Sequence, residues 1–131
     1  MAASVWVALG GALGSVGRYW TGVWMARLVG EAFPWGTLLI NIVGSFVIGL
    51  FGALTIADGP LPASINAKLF VMAGICGGYT TFSAFSLQTL TLARAGEWPW
   101  AFGYVVASVV LCLASVTLGH LLAMRIGLLT G

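Results

Sequence analysis

Charged side chains are scarce in this chain. Five Lys or Arg and three Asp or Glu make up 6% of its 131 residues, whereas about a quarter of a typical soluble domain is charged. The hydrophobic fraction is 60% and the mean hydropathy is +1.07. A surface with so few charges cannot face water on most sides, so the composition predicts an integral membrane protein in a lipid bilayer. The net charge of +2 is too small to suggest a nucleic-acid partner.

Cysteine and histidine are also few. Cys76 and Cys112 lie in apolar stretches, which argues against a disulfide scaffold, and no Cys/His pair has the short spacing of a zinc site. His120 is the only histidine and lies near the end of the last apolar stretch. The sequence contains no plausible Ser/His/Asp set and no phosphate-binding loop. We therefore expect that the protein is not an enzyme.

Four apolar stretches account for nearly the whole chain. A helix needs about 20 apolar residues to cross a bilayer core of about 30 Å. We expect spans at about 4–29, 35–57, 67–93 and 98–124, forming a single four-span, all-α membrane domain over residues 1–131. The first stretch lacks the basic start and the cleavage site of a signal peptide, so we expect it to be retained. The three acids, Glu31, Asp58 and Glu97, all fall in the predicted loops.

The third apolar stretch contains poor helix formers. Gly77 and Gly78 are followed by Tyr79, Thr80 and Thr81 in the middle of the predicted span. A helix broken at this depth frees backbone N–H and C=O groups, which need protein, water or an ion as partners. The pattern favours either a functional break in the membrane or a kink caused by close packing at the two glycines.

Basic residues are balanced between the two ends of the predicted bundle. Lys68 and Arg125 fall on one side and Arg27 and Arg94 on the other. Topology normally follows an excess of Lys and Arg on the cytoplasmic side, and here there is none. The balance is consistent with insertion in both directions and with an antiparallel two-fold dimer that builds a shared pathway.

The polar residues inside the predicted spans are almost all neutral. A proton-coupled exporter typically carries a carboxylate inside the membrane, and this chain has none there. Amide and hydroxyl groups can donate to an anion without trapping it, and Thr81 and Ser83 are candidates in the third span. Two stripes recur at helical spacing, and either could instead bind helices together. Thr37, Asn41 and Ser45 form the first; Tyr104, Ser108 and Cys112 form the second.

Arg18 is the only charge deep inside a predicted span. A buried cation is costly, so an arginine at this depth faces a water-filled cavity or reaches an interface. In a vestibule its guanidinium would concentrate anions. A structural arginine bonded to a backbone carbonyl explains the position equally well.

Three motifs resemble the Fluc family of small fluoride channels. Residues 77–86, GGYTTFSAFS, resemble the family signature G-G-x-T-T-F-S-T/A-F-S. Residues 36–44, GTLLINIVG, resemble G-T-L-x-x-N-x-x-G, and residues 11–19 contain the family's opening glycines and its first-helix arginine. The motifs occur in the family's order, and the four-span layout matches across almost all of the chain.

The resemblance implies a fluoride-selective channel that exports fluoride passively from a prokaryotic cell across its inner (plasma) membrane. It implies an antiparallel homodimer with two pores, a third helix broken in mid-membrane and a structural sodium ion at the dimer interface. By position, Asn41, Phe82 and Phe85 match pore residues, and Tyr104 and Ser108 match the start of a polar track. Arg18 matches the vestibule arginine. The backbone carbonyls of Gly77 and Thr80 match the sodium ligands.

This chain departs from the family at Cys112 and Val116, where relatives continue the polar track with Ser or Thr. Cysteine donates weakly and valine does not donate, so the track is expected to run differently there, through Ser115 or Thr117. Two other functions were weighed. A small dual-topology multidrug-type transporter requires the intramembrane acid that is missing, and a structural membrane subunit leaves the break in the third stretch without a purpose.

Overall fold

The computed structural model describes residues 2–56 and 59–130, which are helical with short connections and contain no β-strand. The predicted loop residue Asp58 and the predicted end of the second span at residue 57 lie outside these residues. We number the α-helices α1 to α6 and treat the π-helix separately. The elements are α1 (Ala2–Val29), α2 (Trp35–Leu54), α3 (Ile65–Lys68), the π-helix (Leu69–Cys76), α4 (Gly77–Tyr79), α5 (Phe82–Arg94) and α6 (Trp98–Thr130).

Three of these helical stretches are long and apolar enough to cross a membrane. They are Trp35–Leu54, Ile65–Arg94 and Trp98–Leu129. The all-helical architecture therefore agrees with the integral membrane protein that the composition predicts. The 28-residue helix α1 is as long as the others but is not among the three.

The helix ends follow local chemistry. Gly30 and Gly96 adopt positive φ angles of 79° and 83° directly after the ends of α1 and α5, where residues with a side chain would be strained. Pro34 precedes α2, and Pro99 lies in the first turn of α6, where a missing N–H costs nothing. Glu31 and Glu97 lie in these connections, as predicted.

Glycines allow helix backbones to touch at two interfaces. A Cβ added to Gly10 would collide with the Phe70 carbonyl, and one added to Gly74 would lie 2.8 Å from the Gly10 Cα, so α1 lies directly on the π-helix. At the second interface, a Cβ on Gly49 would collide with the Val116 carbonyl, so α2 lies directly on α6. The third helical stretch contacts both α1 and α2, and its last helix, α5, contacts α6.

The buried side of α6 is a stripe of small and polar residues with one large ring. Its members recur every three or four residues, as one helix face requires; they are Ala101, Tyr104, Ser108, Ser115, Gly119 and Ala123. The Ser115 hydroxyl donates to the Ile42 carbonyl at 2.8 Å and ties α6 to α2. Tyr104 is fully buried, with no exposed surface.

Candidate functional site

The helix is interrupted at Thr80 and Thr81. Thr80 has φ −75° and ψ 160°, and Thr81 has φ −155° and ψ 116°, both extended. The Thr80 N–H still donates to the Cys76 carbonyl at 2.9 Å, and the Thr81 hydroxyl accepts from the Ala84 N–H at 3.2 Å. Two consecutive threonines therefore end α4 and cap the start of α5.

Side chains from α1 and α2 bind the backbone groups that this interruption frees. The Thr81 N–H donates to Asn41 Oδ1 at 2.9 Å, and Asn41 Nδ2 donates to the Thr81 carbonyl at 3.1 Å. Arg18 Nη1 donates to the Thr80 carbonyl at 3.4 Å. Asn41 therefore uses one of its two N–H donors on the backbone, and one remains.

A cavity of about 390 Å³ adjoins the interruption; we call it the inner cavity. It collects Asn41, Thr81, Phe82, Phe85 and Ser108, five of the seven residues proposed from the sequence for a fluoride pathway. The residues that line it are all uncharged: Asn41, Gly44, Ser45, Ile48, Met72, Cys76, Gly77, Thr80, Thr81, Phe82, Phe85, Ser108, Val109 and Cys112.

Ser108 carries the most informative hydroxyl in this cavity. The residue is only 7% exposed, and its Oγ is buried with no hydrogen-bond partner among the described residues. A buried polar group without a partner is costly, so such groups normally mark an unseen water, an ion or a functional role. Ser108 therefore lines the inner cavity and carries a hydroxyl that no described residue satisfies.

A row of aromatic rings begins at Phe82 and Phe85, which line the inner cavity. The ring centroids of Phe82 and Phe85 are 5.3 Å apart, those of Phe85 and Tyr104 5.2 Å, and those of Tyr104 and Phe33 5.4 Å. Phe82 is 78% exposed in the single chain, whereas Tyr104 is fully buried. The row therefore runs from an open face of the chain into its core.

Two further cavities adjoin this row. The loop cavity, of about 420 Å³, is lined by Phe33, Thr37 and Gln88, and the arginine cavity, of about 380 Å³, by Arg18. Glu31 and Thr37 line both, and Thr81 is shared by the arginine cavity and the inner cavity. Arg18 thus lines a cavity and also bonds to a backbone carbonyl, which combines the two interpretations that the sequence left open.

Two of the proposed pathway residues do not line the inner cavity. Ser83 is exposed and lines none of the three cavities. Its hydroxyl oxygen is 3.2 Å from the hydroxyl oxygen of Thr81. Tyr104 contributes through its ring contacts, because its hydroxyl donates to Gln88 Oε1 at 3.0 Å. Sequence reasoning did not select Gln88; its spacing of three residues from Phe85 was the available signal.

The two hydroxyls of the alternative polar track are bonded to the helix backbone. The Ser115 and Thr117 hydroxyls donate to the carbonyls of Ile42 and Leu113, both at 2.8 Å. Neither residue lines the three cavities, whereas Cys112 lines the inner cavity. Both hydroxyls are therefore engaged by backbone carbonyls in the single chain, and the track through Ser115 or Thr117 stays a prediction.

The carbonyls predicted to hold sodium are partly available. Because the Thr81 N–H bonds to Asn41, the Gly77 carbonyl loses the donor that a continued helix would give it. The Thr80 carbonyl accepts from Arg18 but has a second lone pair. Residues 2–56 and 59–130 contain no group of three His, Cys, Asp or Glu that could hold a metal ion. The available ligands are backbone oxygens, which suit a hard cation.

Comparison with protein families gives a match over residues 5–120 to the family described as CrcB-like protein, Camphor Resistance (CrcB). This range includes the interruption and all three cavities. The chain belongs to the CrcB family.

Curated relatives confirm the resemblance found in the motifs. A protein of Opitutus terrae named fluoride-specific ion channel FluC is 52% identical over 131 residues, which cover 100% of this chain and 99% of that protein. Proteins with the same name from Methylocella silvestris and Rhodospirillum rubrum are 51% and 56% identical. The matches cover 97% of both chains in the first case, and 93% of this chain and 95% of that protein in the second.

Proposed function

We propose that this chain forms a fluoride-selective channel that lets fluoride leave the cell passively. The observation that carries this proposal is the inner cavity, which joins Asn41, Phe82, Phe85 and the unpartnered Ser108 hydroxyl and has no charged lining residue. The relatives that cover the whole chain carry the name of fluoride-specific channels.

The chemistry of the cavity suits a small, strongly hydrated anion. The remaining N–H of Asn41 and the Ser108 hydroxyl replace part of the water that fluoride loses. The rings of Phe82 and Phe85 present a weakly positive edge, which attracts an anion without holding it tightly. Conduction needs binding that is favourable enough to admit the ion and weak enough to release it, and a neutral lining meets both conditions.

The protein crosses the membrane four times in this proposal. Helix α1 has 28 residues, hence a length of about 42 Å at about 1.5 Å per residue, enough to cross the bilayer. Its glycines hold it against the π-helix, so it runs beside a stretch that is itself apolar enough to span. The interruption at Thr80 and Thr81 then lies in mid-membrane, where the bonds from Asn41 and Arg18 are essential.

Two copies in antiparallel orientation complete the site and give two pores. Phe82 is 78% exposed in the single chain, and Gly77, Ser83 and Ser86 are exposed around it. Hydroxyls and an open helix end are poorly matched to lipid, so this face favours a protein partner. The balanced basic residues are consistent with a second copy inserted in the opposite direction.

A sodium ion at the two-fold axis would be held by the Gly77 and Thr80 carbonyls of both copies. When bound, the ion supplies fixed positive charge that neutralises converging carbonyl dipoles. The Gly77 carbonyl supports this assignment, because the Thr81 N–H that would bond to it in a continued helix donates to Asn41 instead. The Arg18 guanidinium, 3.4 Å from the Thr80 oxygen, weakens the second ligand because its charge has the same sign as the ion.

The remaining candidate functions fit the cavities less well. A multidrug-type transporter requires an acid in the pathway, and the inner cavity has none. A structural subunit gives no role to the unpartnered hydroxyl of Ser108. The bacterial relatives and the apolar helices favour the inner membrane of a prokaryote as the location.

Passive efflux from liposomes tests the function. Purified protein is reconstituted in vesicles loaded with fluoride or chloride, and release is followed with ion-selective electrodes. Rapid release of fluoride without matching release of chloride is expected. Silence for fluoride from protein that elutes as a folded dimer would remove the channel function and favour the structural subunit.

A further inference from the structure

Gln88 is the one polar side chain of α5 that links the aromatic row to a second cavity. Its Oε1 accepts from the fully buried Tyr104 hydroxyl at 3.0 Å. The same side chain lines the loop cavity of about 420 Å³. The hydrogen bond fixes which way the carboxamide points, because an amide oxygen turned toward Tyr104 leaves the amide nitrogen turned away from it.

We propose that the Gln88 amide forms a second anion-binding site, in the loop cavity, for a small monovalent anion that accepts hydrogen bonds. The inference rests on the proposed function, in which this anion is fluoride. Gln88 lines the loop cavity, whereas Phe85, whose ring centroid lies 5.2 Å from that of Tyr104, lines the inner cavity with Ser108.

The donors at this position come from Gln88 and not from Tyr104. The Tyr104 O–H is directed to Gln88 Oε1, so it is not free for an ion. Gln88 Nε2 carries two N–H groups, has no hydrogen-bond partner recorded among residues 2–56 and 59–130, and is not among the buried unpartnered atoms. It is therefore accessible from the cavity. An N–H group on a neutral side chain can replace a water of a hydrated anion.

Charges around the loop cavity suit transient binding. Arg18 lines the adjoining arginine cavity and attracts anions, whereas Glu31 lines both cavities and opposes their retention. Thr37, buried on α2, lines both cavities as well. An anion at Gln88 thus lies between a cation that draws it in and the rings that lead to Ser108. Several weak stations in series are what rapid conduction requires.

The test compares Gln88→Met with Tyr104→Phe and the double variant in fluoride-efflux liposomes. Methionine keeps the length of glutamine but has no N–H, so fluoride efflux should fall about tenfold, the effect of losing a hydrogen bond to an ion. A purely structural Gln88 would act only by satisfying the Tyr104 hydroxyl. In that case adding Gln88→Met to Tyr104→Phe changes nothing, because the hydroxyl is already gone.

If fluoride efflux from the double variant is about tenfold slower than efflux from Tyr104→Phe, the result supports an anion site at Gln88. Equal efflux from these two overturns it. The double variant removes the Tyr104 hydroxyl together with its Gln88 partner, so it remains informative if Gln88→Met alone fails to fold. Thr91→Val is the matched control, since Thr91 lines the same cavity but its hydroxyl already donates to the Leu87 carbonyl at 2.9 Å. If the wild-type protein releases no fluoride, the channel function itself is overturned. If the wild-type protein releases fluoride normally and the Gln88 variants do so equally, only the Gln88 site is overturned.

Discussion

The third helical stretch is packed differently before and after its interruption. In the π-helix, Gly74 and Cys76 are buried, and Gly74 touches the backbone of α1. In α5 no residue is buried, and Phe82 at its start is 78% exposed. The first half is fixed by backbone contacts within one chain, and the second half presents its rings to a surface. The rigidly packed π-helix therefore holds α5 and its exposed side chains in place.

The largest expected effect is on the fixed half. Gly74→Val places a Cβ 2.8 Å from the Gly10 Cα, where only a backbone shift can make room. Overpacking typically costs about 1–3 kcal/mol and here meets backbone atoms, so we expect loss of the folded protein. The measurement is the yield of monodisperse protein in size-exclusion chromatography. Gly103→Ala is the control, since a Cβ there meets no atom within 4 Å. Normal yield of Gly74→Val would show that the contact between α1 and the π-helix is not rigid.

The next largest effect is expected at the link between the two halves. Asn41→Asp removes the donor to the Thr81 carbonyl and adds a negative charge to the neutral inner cavity. Fluoride efflux should fall on the order of a hundredfold, because a donor is lost and the permeating anion is repelled. Asn41→Leu separates the two causes, since it removes the hydrogen bonds without adding charge. Unchanged efflux for both variants, read with the fluoride electrode, would place the ion path elsewhere.

Substitutions on the exposed half should reduce transport and leave assembly intact. Phe82→Ile and Phe85→Leu keep apolar bulk but remove the ring edges, and we expect fluoride efflux to fall about tenfold for each. Phe70→Leu is the matched control, because Phe70 lies in the π-helix against Trp6, with ring centroids 6.0 Å apart, and lines none of the cavities. Wild-type efflux in both ring variants, with the dimer intact by chromatography, would remove the rings from the pathway.

Sequence reasoning succeeded where short-range signals are strong. Hydropathy and the positions of Glu31, Pro34 and Glu97 predicted helical stretches and connections near their observed bounds. Glycines followed by two threonines indicated where the third stretch is interrupted. The π-helix was not predicted; it is the part of the third stretch that α1 approaches closely through Gly10 and Gly74.

Long-range side-chain pairing could not be read from the sequence. The bond from Tyr104 to Gln88 joins two helices and changes the role expected for the tyrosine hydroxyl. The hydroxyls of Ser108 and Ser115 lie on the same buried stripe of α6, yet only Ser108 lacks a partner. Spacing identifies the stripe, but only the neighbouring helix decides which of its hydroxyls is free.

Substitutions of these two serines have the smallest expected effects, but they best separate residues that support the fold from residues that line the ion pathway. Ser108→Ala removes a donor that has no protein partner, so thermal stability should be unchanged while fluoride efflux falls about threefold. Ser115→Ala removes the 2.8 Å bond to the Ile42 carbonyl, so unfolding should become easier by about 1 kcal/mol while efflux stays normal. Efflux and the melting temperature of the purified dimer are measured on both variants. If Ser108→Ala loses stability without losing efflux, its hydroxyl belongs to the support and not to the pathway, because a free pathway donor has no folded-state bond to lose.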